Sequence, residues 1–364
     1  MAINPHKIRL DAATACQLKC PSCPTATGDI AKSIGAGFVK LEDFKKFIDD
    51  NPQIKEIELS SWGEIFLHPE ITKIIEYAYS KNVILDCNNG SNFNRVSDEA
   101  LEALVKYRFR SITCAIDGAS SETYAIYRRN GDFEQVLKNI RKLNEIKKKY
   151  KSPWPQLKWQ FIVFGHNEHE INKARQMAKS LGMRFWVKLA QGGKYTGEEF
   201  SPVKDKDLVR RESGVLAADQ DEYEQIYKEG YGYKIICSTM WHQPQINFDG
   251  KLLGCCVNYW GDYGNAFKEK LSTCLNNERM EYARGMLMGK NEARDDIPCT
   301  SCVQYKSMNK HKSWITKQDL FFSKLIYRFR YWLQNDKFRF LLLWYFTAKG
   351  KKKDLSRVSQ KTGT

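Results

Sequence analysis

ACQLKCPSCPT, Ala15–Thr25, holds three cysteines, Cys16, Cys20 and Cys23, within eight residues and sets a proline directly after the third. The informative feature is the count. A cubane iron–sulfur cluster normally takes four cysteine thiolates. Three on one short loop, with no fourth nearby, leave one iron open, and an open position on a metal is where a small molecule binds. A zinc knuckle, or three unrelated buried cysteines, is the alternative that the spacing by itself leaves standing.

Working outward, the chain has 364 residues, 42% hydrophobic and 28% charged, enough for a large domain and a smaller one. It contains no run of about 18 apolar residues, so a spanning helix is not expected. The opening MAINPHKIRL lacks the apolar core of a secretory signal. The expected location is therefore the cytoplasm, where thiols stay reduced and clustered cysteines hold metal. The net charge of +15 is unevenly spread: residues 303–364 hold 15 Lys/Arg against 3 Asp/Glu, which leaves about +3 for the rest. Nucleic-acid binding is not expected, because a basic tail alone is a weak footprint.

Short β-rich runs alternate with helical patterns through the first half. The expected strands are Lys7–Asp11, Ile54–Ser60, Val83–Cys87, Ser111–Ile116, Trp159–Phe164 and Arg184–Lys188. The expected helices between them are Leu41–Asp50, Pro69–Lys81, Ser97–Tyr107, Phe133–Lys148 and Glu168–Leu181. Such alternation implies an α/β fold, a parallel sheet with helices outside, here a partial (βα)6 barrel. Chemistry in such folds sits on the loops after the strands, and the three-cysteine loop follows the first strand. The expected division is a barrel over 1–196, a connector over 197–232, a cysteine-rich α+β module over 233–306, and a basic, aromatic-rich helical tail over 307–364.

The spacing Cys16-x3-Cys20-x2-Cys23 after a first strand resembles the cluster motif of the radical S-adenosylmethionine (radical SAM) superfamily. The resemblance continues strand by strand over roughly Lys7–Lys188. Trp62-Gly63-Glu64 is similar to the family's Gly-Gly-Glu segment, which contacts the SAM amino group, with Trp62 in place of the first glycine. Asn88-Asn89-Gly90-Ser91 resembles the Thr-Asn-Gly loop, and Asp117-Gly118 with the following Tyr-Arg and Gly-x-Phe elements resembles the Asp-Gly loop. It implies a SAM-binding 4Fe–4S cluster on the three cysteines. It also implies SAM contacts from Gly63, Glu64, Asn89 and Ser91, and from Asp117 toward ribose hydroxyls or a substrate group. In this family one electron from the cluster cleaves SAM to methionine and a 5′-deoxyadenosyl radical. Ser22 stands where the family usually has an aromatic residue before the third cysteine.

A second set comprises Cys237, Cys255, Cys299 and Cys302. Asp249-Gly250 between QINF and KLLG predicts a hairpin, and Cys299-x2-Cys302 forms a tight pair. Four thiolates suit a fully ligated iron–sulfur centre or structural zinc alike. The region resembles the SPASM/twitch module of radical SAM enzymes, in its shorter form, which implies one auxiliary 4Fe–4S cluster, with Cys256 the alternative to Cys255. Cys87, Cys114 and Cys274 are expected as buried small residues.

The implied reaction is hydrogen abstraction from a small polar substrate, a sugar or cyclitol-type hydroxyl, with the auxiliary cluster taking up an electron. Flavodoxin or ferredoxin is the expected reductant. A base would come from Asp117, Lys188, His166 or His242. Peptide modification is the rival enzymatic reading, and a non-catalytic iron–sulfur scaffold or electron carrier the rival of another class. In the tail, Leu325, Ile326, Phe329, Trp332 and Leu333 lie among Lys324, Arg328, Arg330, Lys337 and Arg339. This pattern suits either a helix packed on the barrel or amphipathic helices at a membrane surface, where a lipid-linked saccharide would be a natural substrate.

Overall fold

Hydrophobic residues spaced for burial on one face build each βα unit, and the units assemble in chain order. The computed structural model describes residues 2–190 and 203–329, with side chains to residue 325. The strands are β1 (Lys7–Leu10), β2 (Glu56–Glu58), β3 (Ile84–Ser91), β4 (Ser111–Ala115), β5 (Gln156–Val163) and β6 (Arg184–Leu189). All neighbours pair in parallel, and the six strands lie in sequence order in an open sheet.

Five helices follow the expected runs closely, α1 (Leu41–Asp50), α2 (Ile71–Ser80), α3 (Asp98–Lys106), α5 (Phe133–Lys149) and α6 (Ile171–Ser180), and a short one that was not expected, α4 (Ser121–Tyr127), lies between α3 and α5. In α5, Phe133, Val136, Leu137, Ile140 and Leu143 form one buried stripe. Asp132 caps its first turn by accepting from the Gln135 amide at 3.0 Å, and Lys147–Lys149 meet the negative end of its dipole. Ser97 does the same for α3 through the Ala100 amide.

Strand alternation separates an oily outer face from a polar lumen. Leu157, Trp159, Phe161 and Val163 of β5 are buried toward the helices, while Lys158 and Gln160 occupy the other face. Lys158 Nζ donates to Asn88 Oδ1 across that face at 2.8 Å. At the N-terminal end of the sheet, Lys7 and Arg110 both reach Asp86 Oδ2, at 2.9 and 2.6 Å.

Two findings depart from the expected division. A seventh strand, β7 (Gln245–Ile246), pairs in parallel with β1, so the sheet reads β6-β5-β4-β3-β2-β1-β7. The expected hairpin exists, with Ile246 and Leu252 bridged antiparallel, but its first strand belongs to the barrel sheet. Secondly, Met1–Ile315 forms one compact unit and Thr316–Thr364 another, where the sequence reading starts the tail at 307. The preceding helices α7 (Tyr233–His242), α8 (Glu278–Leu287) and α9 (Val303–His311) belong to the first unit, and α10 (Lys317–Phe329) to the second. Part of the expected connector (197–202) and the tail from 330 lie outside the described residues.

Candidate functional site

The loop after β1 presents the three cysteines to a cavity of about 230 Å³ at the C-terminal ends of the strands. Cys23 donates its amide to Cys20 O at 3.1 Å, closing a turn, and then caps a short helix, Pro24–Thr27, with Pro24 at its first position. That accounts for the proline after the third cysteine. Leu18 and Cys20 pack on Tyr127 and Phe164, which fixes the loop's floor. Burial pushes the Cys16 thiol up to about 12 and raises that of Cys20. Such thiols become thiolates when a cation binds them.

Two side chains direct N–H groups at these sulfurs. Asn92 Nδ2 lies 3.5 Å from Cys16 Sγ, and Arg128 Nη1 lies 3.7 Å from Cys20 Sγ. Among the described residues, no three His, Cys, Asp or Glu groups converge on a single ion position; a cubane instead binds each thiolate to a different iron. Three thiols on one wall, donors toward two of them and a polar wall opposite fit such a cluster.

The loops after β2 and β3 are latched to the cysteine loop. A Cβ at Gly63 would lie 2.3 Å from Ala13 O and 2.8 Å from Ala15 O. Glycine is therefore required here by contact with the protein's own backbone. Glu64 donates its amide to Ala15 O at 2.9 Å. Its buried carboxylate accepts from Ser91 Oγ at 2.7 Å and the Asn92 amide at 2.6 Å, while burial raises its pKa. Glu64 and Ser91 line the cavity, yet their polar atoms hold each other. Asn89 is exposed at the rim, its Nδ2 donating to Ser61 O at 3.1 Å.

Asp117 sits deeper than the strand tip suggested. It is fully buried, and it is not among the cavity-lining residues. One oxygen accepts from Arg128 Nε at 2.6 Å and the other from the Ile162 amide at 2.7 Å. A carboxylate held this way positions Arg128. Arg128 itself does line the cavity. The Tyr127-Arg128 pair was visible in the sequence, but nothing there indicated that the arginine, and not the aspartate, faces inward. Ser22 is compensated similarly: its hydroxyl lies 2.6 Å from Tyr127 Oη, and Tyr127 and Phe164 place aromatic rings 4.5 Å apart beside the cavity.

Of the proposed bases, Lys188 lines the cavity at the end of β6, whereas His166 stacks on Phe164 and His242 ends α7, both outside the lining. Burial lowers the Lys188 pKa, opposed by Asp117 and Cys256.

The second cysteine set brings its thiols within electrostatic reach of one another. Cys237 lies in α7, Cys255 follows the hairpin, Cys299 sits in a 3-10 turn, and Cys302 caps α9. Burial pushes the Cys237 thiol up, and Cys255, Cys302, Cys299 and Cys256 add to the shift. Tyr263 Oη lies 3.5 Å from Cys299 Sγ, and the thiol is raised to about 11. The loop after Cys255 reaches the first cavity: Trp62, in the cavity wall, packs edge-on against Tyr259, at 5.2 Å between ring centroids. Cys87, Cys114 and Cys274 are buried, as expected.

Residues 12–178 match the family model of the radical SAM superfamily. The chain carries a radical SAM domain. That family uses a 4Fe–4S cluster and SAM. The antilisterial bacteriocin subtilosin biosynthesis protein AlbA of Bacillus subtilis (strain 168) is 30% identical over 175 residues, which is 46% of this chain and 36% of AlbA. The match thus spans about a third of that relative's length. In fold, the chain is similar to SuiB of Streptococcus suis bound to S-adenosylmethionine, with a TM-score of 0.60 at 13% identity, over 87% of this chain and 77% of SuiB. It is also similar to anSMEcpe with bound AdoMet, with a TM-score of 0.55 at 15% identity, over 88% and 100% of the two chains.

Proposed function

We propose that Cys16, Cys20 and Cys23 hold the SAM-binding cluster, that Cys237, Cys255, Cys299 and Cys302 hold an auxiliary 4Fe–4S cluster, and that the two serve one oxidation. The observation that carries this reading is that the loop bearing Cys255 and Cys256 reaches the first cavity, through the Trp62–Tyr259 contact and through Cys256 acting on Lys188. When bound, the first cluster supplies the electron that cleaves SAM to methionine and a 5′-deoxyadenosyl radical. The chain's own residues do the rest. The cysteine loop and Glu64 latch fix the cavity, Arg128 and Asn92 set the charge around the thiolates, and Gln160 and Lys188 offer polar groups to a substrate.

The substrate class that suits this polar wall is a sugar or cyclitol-type hydroxyl. Oxidising it would remove a hydrogen atom from the carbon, a proton from the oxygen and one electron. Bound SAM would supply the hydrogen-atom acceptor, Lys188 is the candidate base at the cavity, and Cys237, Cys255, Cys299 and Cys302 would hold the centre that takes the electron. The product is a carbonyl. A flavodoxin- or ferredoxin-type reductant would supply the initiating electron.

Peptide modification is the second reading, favoured by relatives: AlbA is a bacteriocin biosynthesis protein, and SuiB has been captured with its precursor peptide SuiA.

Anaerobic reconstitution followed by iron counting and product analysis tests the proposal. Eight irons per chain and reductive formation of 5′-deoxyadenosine are expected. Four irons at most, or none of the nucleoside, would overturn it and leave a metal scaffold. A peptide gaining a crosslink, with no sugar oxidised, would replace the first substrate class by the second.

A further inference from the structure

None of the residues assigned to the two cysteine sites above lies in the second compact unit, Thr316–Thr364. Its sequence carries 12 Lys/Arg against 3 Asp/Glu, a net +9 of the chain's +15, in 49 residues. The same 49 residues hold 11 aromatic side chains and 7 leucines. A tail evolved only for a nucleic-acid backbone needs the charge and not this apolar content. The run FLLLWYF at 340–346 is far shorter than the roughly 20 residues that cross a bilayer. No described helix is long and apolar enough to do so.

The described part of this unit shows how the two properties combine. Along α10, Phe321 is 62% exposed, and no side chain of residues 317–325 is fully buried. Lys317 precedes Phe321 by four residues and Lys324 follows it by three, so both exposed lysines share the face of the exposed ring. Leu325, half-buried, lies one turn on along that face. An aromatic flanked by ammonium groups on flexible stems matches a lipid interface: the ring enters the acyl boundary while the cations stay level with phosphates.

We propose that the face of α10 carrying Lys317, Phe321 and Lys324 binds the surface of anionic phospholipid bilayers. Charge complementarity selects the partner, since neither zwitterionic lipid nor an apolar protein groove calls for a net +9.

Co-sedimentation of the full chain with phosphatidylglycerol-containing vesicles, compared with pure phosphatidylcholine, tests this. Binding to the anionic vesicles should be stronger by about tenfold or more at low salt and should weaken steeply as salt is raised. Phe321→Glu, and separately Lys317→Glu with Lys324→Glu, should each reduce binding by about fivefold or more. Iron content, circular dichroism and 5′-deoxyadenosine formation should stay unchanged, which separates failure here from failure of the proposed reaction. Equal binding to both vesicle types, no binding, or variants that bind like the parent would overturn the proposal. Displacement of anionic vesicles by an equal charge of single-stranded RNA, with RNA bound tighter, would reassign this face to nucleic acid.

Discussion

Replacing Arg128 should lower the reduction potential of the cluster proposed for the first cysteine loop. Its Nη1 lies 3.7 Å from Cys20 Sγ, and its Nε and Nη2 both reach Asp117 at 2.6 Å. A full charge about 4 Å away at an effective dielectric of about 20 contributes about 4 kcal/mol. Asp117, on the far side of the guanidinium, cancels part of this, and the added electron is shared over the whole cluster, leaving about 1–2 kcal/mol. At about 59 mV per tenfold change for one electron, this corresponds to roughly 40–90 mV. Arg128→Gln should therefore move the midpoint negative by that amount, Arg128→Lys by less, and Asp117→Asn positive, because it leaves the guanidinium uncompensated. The assay is an anaerobic potentiometric titration read by electron paramagnetic resonance, using the signal that shifts on SAM addition to mark the first cluster. A shift below about 20 mV for Arg128→Gln, or shifts of the same sign for the Gln and Asn variants, would refute an electrostatic role and leave Arg128 a structural clamp.

Three further outcomes are expected. Cys20→Ala should lose about half the iron and all SAM cleavage. Cys299→Ala should also lose half the iron yet keep cleavage, as judged by iron assay and chromatography of 5′-deoxyadenosine. Gly63→Ala forces a methyl onto Ala13 O, so it should destabilise the fold by roughly 1–3 kcal/mol and loosen the cysteine loop, measured by chemical denaturation. Asp11 is fully buried, with one oxygen accepting from Gln245 Nε2 at 2.6 Å, and burial pushes its pKa up to about 8. The native state therefore binds its proton more tightly than the unfolded chain does. That stabilisation is complete below about pH 4 and drains away as pH rises toward 8, at up to about 1.4 kcal/mol per pH unit. Asp11→Asn should flatten the decline between pH 5 and 8 in denaturation curves; an unchanged slope would contradict the assignment.

The strands and helices were legible because each carries a single dominant period. Phe133 to Leu143 can bury only as a helical stripe, and the β5 run only as alternating faces. The cysteine loop was legible because three thiols in eight residues have few uses. What the sequence hid was direction. Asp117 and Arg128 lie eleven residues apart in one segment, and only packing decides which of the two meets the cavity. Glu64 and Ser91 were correctly placed at the strand tips, but their mutual hydrogen bond depends on two loops meeting. The two-residue strand Gln245–Ile246 is too short for any periodicity to reveal. Its place beside β1 is set by long-range contacts such as the Gln245–Asp11 hydrogen bond.

That short strand has a practical consequence. Because β7 covers the outer flank of β1, cutting the chain before Tyr233 would bare a row of unpaired amides and carbonyls next to the cysteine loop, an invitation to edge-to-edge aggregation. The cysteine-rich region is thus no detachable cartridge. Swapping it between relatives would demand that the donor also bring a strand that zips onto the recipient's barrel.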